Sequence, residues 1–345
     1  MHRGLGRQVG AKLPPYDQGH NESRVDLRPG LPGMTEAGAD PPTRGPRVWA
    51  IGGGKGGVGK SVIAANLATH LARSGSRVAL VDGDLGGANL HTLLGVPSPA
   101  TNLGDFISRK VPTLGEIMNP TPVENLWLVS GAKALVETAN LNFGQKSKLL
   151  RHINQLDTDH VVLDLGAGST FNVLDFFLVA RKGVLVVVPE PTSVENAYHF
   201  LKAAFFRKLK RAQPRAQVQA AVKEIMNGSG RENVRTPRDL ISRVWSLDPE
   251  VGAALVAEAA SFRPALIVNR VTHPSHERLG KEMVSACRDY FGIRLQFLGS
   301  LPTDKLVQRS IVERKPAAEH FPTIPFVTAL NTVVTNLTFA RRRTA

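Results

Sequence analysis

The chain has 345 residues, of which 43 are lysine or arginine and 29 are aspartate or glutamate, so its formal net charge is +14. This length allows one large domain or two smaller ones, and the positive charge indicates an acidic partner such as nucleic acid, anionic lipid or another protein. The single cysteine, Cys287, excludes a disulfide within the chain and any cluster of thiolate ligands, and it favours a cytoplasmic location.

The first 46 residues predict a flexible leader, because they hold seven prolines and eight glycines and show no sustained apolar periodicity. Beyond them, short apolar runs alternate with helical patterns. The runs that predict buried strands are 48–51, 78–81, 126–129, 161–163, 184–188, 265–268 and 295–298. The patterns that predict helices include 59–74, 146–156, 194–210, 276–290 and 325–339. This alternation predicts an α/β fold over residues 47–340, with a doubly wound, mostly parallel sheet flanked by helices.

One segment, at about residues 212–263, interrupts the alternation. It contains a Gly-Ser-Gly turn at 228–230 and two further helical stretches, 237–246 and 249–260. We therefore expect a helical insertion on the flank of the sheet. The last five residues, 341–345, form a basic tail.

A glycine-rich motif follows the first strand and opens the first helix. It fits G-x-x-x-x-G-K-[ST], the pattern of a phosphate-binding loop, with Gly54 first and Gly59, Lys60 and Ser61 last. Lys60 is expected to reach the β- and γ-phosphates, and the Ser61 hydroxyl to bind Mg2+. The alternative is a glycine-rich turn with an incidental lysine. The residues expected to contact the nucleotide are Gly54, Lys55, Gly56, Gly57, Val58, Gly59, Lys60, Ser61 and Val62.

Carboxylates follow two other predicted strands. Asp82 and Asp84, two residues apart, point the same way beyond the strand at 78–81, toward the edge where nucleotide phosphates bind. Asp-Gly-Asp is also good turn chemistry, so an exposed turn is the alternative. Asp164 ends the strand at 161–163, where it would hold the hydration shell of Mg2+, and Gly166–Gly168 would form a switch near the γ-phosphate. Phosphoryl transfer needs positioning and charge neutralisation, so this set suffices for slow ATP hydrolysis.

A second lysine, Lys55, lies inside the loop, and the stretch KGGVGKS resembles the deviant phosphate loop of the MinD/ParA family of ATPases. In that family the earlier lysine reaches the nucleotide of the partner across a dimer interface. The resemblance implies that Lys55 makes this contact in an ATP-dependent homodimer; a solvated loop charge is the alternative. It also implies that Asp82 supports Mg2+, together with Ser61 and Asp164, and that Asp84 orients the attacking water. Lys55, Lys60 and Asp84 are then the catalytic candidates.

Further motifs are similar to FlhG (FleN)-like members of this family. Residues 84–90 with Leu93-Leu94-Gly95 are similar to both MinD and FlhG, whereas Gly166–Gly168 and Pro189–Ser193 are similar to FlhG in particular. For adenine recognition the family uses an asparagine after a late strand and a Pro-x-Asp loop, and Asn269, Pro302 and Asp304 stand at the matching places. Asn269 could equally cap the end of its strand. The predicted insertion has no counterpart in a compact MinD.

Most of the surplus positive charge lies in two segments of the chain. Residues 202–238 carry ten basic side chains against two acidic ones, and Arg341–Arg343 add three. On the helix at 194–210 the apolar positions follow helical spacing, which leaves a basic face expected to point outward. The face consists of Lys202, Arg207, Lys208, Lys210 and Arg211. It would hold DNA phosphates, anionic lipid or an acidic protein; a merely solvated face is the alternative.

The resemblance thus implies an Mg2+-dependent ATPase, slow and stimulated by a protein partner, that dimerises with ATP. Such proteins act in the spatial positioning of a flagellum, a chromosome or a division site. No apolar run approaches the roughly 18 residues of a membrane-spanning helix, so any contact with a membrane or the nucleoid would be peripheral. The alternative function is a nucleotide-locked scaffold with negligible turnover.

Overall fold

The computed structural model describes residues 45–84, 87–131, 141–212 and 237–338. Three regions named above lie outside the described residues: the predicted leader up to residue 44, residues 213–236 of the predicted insertion, and the basic tail at 341–345. What the sequence predicts for them stays a prediction.

Eight strands of the described residues form one sheet. They are β1 Arg47–Gly52, β2 Val78–Gly83, β3 Asn119–Pro120, β4 Leu126–Val129, β5 His160–Leu165, β6 Lys182–Val187, β7 Ala265–Val271 and β8 Gln296–Pro302. The order across the sheet is β3-β4-β2-β5-β1-β6-β7-β8, and all neighbours are parallel except β3 and β4. Seven strands coincide with predicted apolar runs, whereas two-residue β3 is too short to show a periodic pattern.

Helices cover both faces of the sheet, each over its own apolar core. One face carries α1 Lys60–Arg73, α2 Leu90–Leu93, α10 Lys305–Val312, α11 Ala317–His320 and α12 Pro325–Thr338. The other carries α3 Leu103–Ile107, α4 Phe143–Ile153, α5 Phe171–Val179, α6 Pro191–Ala212, α7 Pro237–Leu247, α8 Pro249–Ser261 and α9 His276–Ala286. A 3-10 turn spans Gly115–Ile117, and a π-helical turn at Cys287–Phe291 follows α9. The predicted doubly wound, mostly parallel α/β fold is therefore confirmed.

The two helices after residue 236 pack against α6. Leu240 of α7 and Leu255 of α8 are fully buried in the same core as Phe205 of α6, and the Phe205 ring lies 5.9 Å from that of Phe262. The apolar sides of α7 and α8 are therefore buried against α6 on that face of the sheet.

The strand register brings the predicted site together at one edge of the sheet. Asp82 of β2 lies beside Asp164 of β5, and Asp164 lies beside Ile51 of β1. Because parallel strands end at the same edge, the glycine-rich loop after β1 and the two carboxylates meet there.

Candidate functional site

The glycine-rich loop joins β1 to α1 and is tightly packed around its backbone. Gly59 has φ of 93°, a left-handed conformation that glycine adopts without strain, and it precedes the first residue of α1, Lys60. A Cβ atom on Gly54 would lie only 2.1 Å from the backbone oxygen of Asn196, so the loop touches the start of α6. The backbone N–H of Gly168 also donates to the oxygen of Gly53, at 3.3 Å. The loop is therefore in contact with two segments that follow later strands.

Lys60 is a buried cation inside this loop. Its side chain folds back so that Nζ donates to the backbone oxygen of Lys55, at 3.3 Å. Burial lowers the pKa of Lys60, while the charges of Asp164 and Asp84 act in the opposite direction. A desolvated ammonium group with three donors is suited to meet phosphate oxygens at this position.

Asp82 and Asp164 are almost completely buried, with 1% and 2% of their surfaces exposed. The backbone N–H groups of Leu90 and Asp84 donate to Asp82, at 3.1 and 3.3 Å. Burial raises the pKa of Asp82 to about 7. It also raises the pKa of Asp164 to about 8, to which the charge of Asp82 adds, whereas a hydrogen bond with Ser61 lowers it. Two buried carboxylates side by side therefore tend to keep a proton near neutral pH, and a bound cation would favour their charged forms.

These residues fit a bound Mg2+ ion. Oδ1 of Asp164 is buried and has no hydrogen-bond partner among the described residues, although buried carboxylate oxygens are normally paired. Mg2+ prefers oxygen ligands and is usually held by one or two carboxylates together with phosphate oxygens and water. The Ser61 hydroxyl, Asp82 and Asp164 supply this kind of donor set.

Asp84 lies against the glycine segment that follows β5. A Cβ atom on Gly166 would lie 3.1 Å from Oδ1 of Asp84, so the close approach depends on the missing side chain. The residues directly after Asp84, Leu85 and Gly86, lie outside the described residues. The structure thus brings together Lys60, Ser61 and the three predicted carboxylates at one edge of the sheet.

Lys55 has partners that the sequence does not predict. Its Nζ atom donates to Oε2 of Glu190 at 2.8 Å and to Oγ1 of Thr192 at 3.0 Å. Glu190 directly precedes α6 and Thr192 is its second residue, and both lie in the Pro189–Ser193 stretch that resembles FlhG-like proteins. An acidic residue next to the first turn of a helix is the signal that could have singled out Glu190.

The three residues predicted for adenine recognition lie at the same edge but have different local roles. Nδ2 of Asn269 donates to the backbone oxygen of Val58 at 2.8 Å, so Asn269 holds the phosphate loop and does not cap its own strand. Asp304 begins helix α10 by accepting the N–H of Leu306 at 2.9 Å, and Pro302 ends β8. Their contact with a base stays a prediction.

The prediction that the basic face points outward is wrong for Arg207. Its guanidinium binds Asp175 of α5 through two hydrogen bonds of 2.5 and 2.7 Å, and Asp175 is 2% exposed. Arg211 also donates to Asp175, at 3.3 Å, and Lys208 pairs with Glu258 of α8 at 2.7 Å. The physical reason is that buried or half-buried carboxylates on neighbouring helices attract these cations.

Lys210 and Lys202, two other members of the predicted face, differ in their surroundings. Lys210 is exposed, and the Nζ atom of Lys202 lies 6.0 Å from the ring centre of Phe206. Within the described ranges, no helix combines the length and apolar character needed to cross a bilayer.

Comparison with known proteins gives a consistent result. Residues 49–317 match the family described as the CobQ/CobB/MinD/ParA nucleotide binding domain. The chain is 36% identical over 157 residues to the antiactivator FleN of Pseudomonas aeruginosa, which covers 45% of this chain and 55% of FleN. It is 33% identical over 162 residues to the flagellum site-determining protein YlxH of Helicobacter pylori, covering 44% and 52%. The chain therefore spans about half the length of these curated relatives.

Solved structures share the fold. The septum site-determining protein MinD of Pyrococcus horikoshii, complexed with Mg-ADP, superposes with a TM-score of 0.53 at 20% identity. The superposition covers 85% of this chain and 96% of that one.

Proposed function

The chain belongs to the CobQ/CobB/MinD/ParA family of nucleotide-binding domains, and from this premise we propose that it is an Mg2+-dependent ATPase that dimerises around ATP. The observation that carries the proposal is the meeting of the phosphate loop with Lys60, Asp82, Asp84 and Asp164 at one edge of the sheet. We assign the ATPase domain to residues 47–340, a range that contains the family match.

Each group has a chemical role in this proposal. The backbone N–H groups from Gly54 to Val62 surround the phosphates, and Lys60 neutralises their charge. Ser61, Asp82 and Asp164 would hold Mg2+, which supplies further neutralisation of the phosphate charge when bound. Asp84 orients the attacking water. We expect Asn269, Pro302 and Asp304 to contact the adenine base.

Nucleotide-driven dimerisation is the first test. ATP should shift the wild-type protein from monomer to dimer in sedimentation velocity, Asp84→Ala should accumulate as dimer because it cannot turn over, and Lys60→Ala should stay monomeric. Lys281→Ala is the matched control, because Lys281 is an exposed lysine on α9. Sedimentation that does not depend on nucleotide in the wild-type protein would contradict the proposal.

Steady-state ATPase measurements separate a cycling switch from a locked scaffold. We expect slow turnover that increases when a protein partner is added. Tight ATP binding without turnover under any condition would exclude the cycling switch and favour the nucleotide-locked scaffold.

The cellular role is proposed from the relatives. A flagellum site-determining protein, an antiactivator named FleN and a septum site-determining protein support a role in the spatial positioning of a flagellum, a chromosome region or a division site. We expect the contacts with a protein partner, and with a membrane or nucleoid surface, to depend on the ATP-bound dimer. Fluorescence imaging of a tagged chain should then show a localised pattern that Lys60→Ala abolishes; a uniform wild-type distribution would contradict this role.

Binding of DNA or anionic lipid by the basic residues is a separate proposal. Because Arg207, Lys208 and Arg211 bind carboxylates, the test uses Lys202 and the exposed Lys210 of the predicted face. Lys202→Glu with Lys210→Glu should weaken ATP-dependent binding to DNA or anionic vesicles and reduce its salt dependence. Unchanged binding would overturn this proposal.

A further inference from the structure

Lys55 is held within its own subunit by two acceptors on a neighbouring element. Glu190 and Thr192 flank Pro191, the first residue of α6, and both contact the Nζ atom of Lys55. The side chains of Lys55 and Glu190 are 36% and 52% exposed. The hydrogen bond from Lys55 also lowers the pKa of Glu190, so the carboxylate is charged over the whole neutral range. The contact is therefore an accessible ion pair with an added hydroxyl acceptor.

The two acceptors sit on a fixed backbone. The hydroxyl of Ser193, which is 2% exposed, accepts the backbone N–H of Val188 at 3.1 Å. The N–H of Ser193 donates in turn to the backbone oxygen of Glu190 at 3.0 Å. The next turn of α6 presses its Asn196 carbonyl against Gly54, the residue before Lys55. Both ends of the contact are thus positioned by packing, which reduces the entropy cost of forming it.

We infer that Glu190 and Thr192 are positioning residues that hold Lys55 in its own subunit, and that this contact opens before Lys55 reaches the nucleotide of a second copy. The inference rests on the proposed function, in which Lys55 acts across a dimer interface. The Nζ atom of Lys55 has three donors, and two of them already donate to Glu190 and Thr192. Each of the two subunits must then break its own Lys55 contact when the dimer forms.

The expected effect follows from the exposure of the pair. An exposed ion pair changes an equilibrium by a factor of about 1.4 to 5. Because two such contacts open for each dimer, removing both should tighten the dimer about two- to thirtyfold. A merely structural role of Glu190 next to the first turn of α6 predicts no such tightening of the dimer.

Sedimentation equilibrium of the full chain with a non-hydrolysable ATP analogue measures this effect. The isosteric variant Glu190→Gln should have a lower dimer dissociation constant than the wild-type protein, and Thr192→Val should show a smaller shift in the same direction. Glu195→Gln is the matched control, because it removes the same charge from an exposed residue of α6 whose ion pair, among the described residues, is with His199. This control should leave the dimer constant unchanged.

The outcomes separate the inference from the proposed function. A wild-type dimer that Glu190→Gln leaves unchanged or weakens would overturn the inference alone. If neither the wild-type protein nor any variant dimerises with the analogue, the proposed function fails and the inference fails with it. A dimer that appears only in Glu190→Gln, with the wild type monomeric at the same concentration, would support the inference strongly.

Discussion

Replacing Asp175 by asparagine should destabilise the fold strongly, because Asp175 is the single carboxylate at the centre of three cations. Lys146 of α4 and Arg207 and Arg211 of α6 all contact it. Burial alone would raise the pKa of Asp175, but the hydrogen bonds from Arg207 and Lys146 outweigh it and lower the pKa below its ordinary value. Asparagine keeps the volume and removes the charge, so the variant tests the electrostatic contribution without creating a cavity.

The magnitude follows from the burial of the partners. The side chains of Lys146 and Arg207 are 11% and 23% exposed, whereas that of Arg211 is 50% exposed. Removing one partner of a buried ion pair costs about 3–5 kcal/mol. Arg211 can turn toward water, so the lower end of that range, about 3 kcal/mol, is expected. A domain of about 290 residues has an unfolding entropy of about 0.6 kcal/mol per kelvin, so the melting temperature should fall by about 5 °C.

Thermal unfolding without nucleotide is the appropriate assay, because bound ligand would mask the loss. Since the pKa of Asp175 is lowered, its contribution is present above pH 4 and is lost as the pH falls further, so the difference between variant and wild type should persist from pH 5 to 9. Asp157→Asn is the matched control: its side chain is 93% exposed and accepts from Arg77, and the melting temperature should not change. A loss below about 1 kcal/mol for Asp175→Asn would refute the reasoning.

Three further predictions concern the loop and the sheet. Gly59→Ala should weaken ATP binding at least tenfold, or about 1.4 kcal/mol, because alanine is strained at φ 93° and its Cβ would lie 2.5 Å from Nδ2 of Asn269. A titration with a fluorescent ATP analogue measures this effect, and unchanged affinity would contradict it. Burial raises the pKa of Asp164 to about 8, so stability without nucleotide should increase as the pH is lowered from 8.5 to 6. Asp164→Asn should raise the melting temperature at pH 8.5 and reduce this dependence, and an equally steep pH profile would argue against the assignment. Gly183→Ala should cost about 1–3 kcal/mol in urea unfolding, since its Cβ would lie 2.5 Å from the ring of Phe177, and a neutral result would mean that the ring can move aside.

The fold and the core of the candidate site could be predicted from the sequence because their signals are local. The apolar run before the loop, the glycines within it and the carboxylates at strand ends each occupy a few consecutive residues. The signal for the end of β8 is less local. The apolar run predicts a strand at 295–298, but the strand continues to Pro302 through a register shift against β7. A short run shows where a strand passes through the core, while its neighbours decide how far it extends.

The side-chain contacts could not be predicted, because their partners are distant in the sequence. Helical spacing places Arg207 away from the apolar side of α6, which predicts solvent, but the carboxylate of Asp175 lies 32 residues earlier on another helix. Lys55 and Glu190 are 135 residues apart, and only the packing of α6 on the loop brings them together. The amide of Asn269 likewise contacts Val58 in the phosphate loop, and neither base recognition nor strand capping predicts this contact.

The place of β1 in the sheet has a consequence for how the protein acquires its site. The two neighbours of β1 are β5 and β6, so Arg47 pairs with His160 and Gly52 with Leu185. Pairings between segments so far apart form slowly, because a long loop must close before any of their contacts can stabilise it. During synthesis β1 and its glycine-rich loop leave the ribosome early but have no partner strand until β5 has followed, and no second partner until β6 has. Nucleotide binding by a nascent chain would therefore report that the middle of the sheet has already assembled.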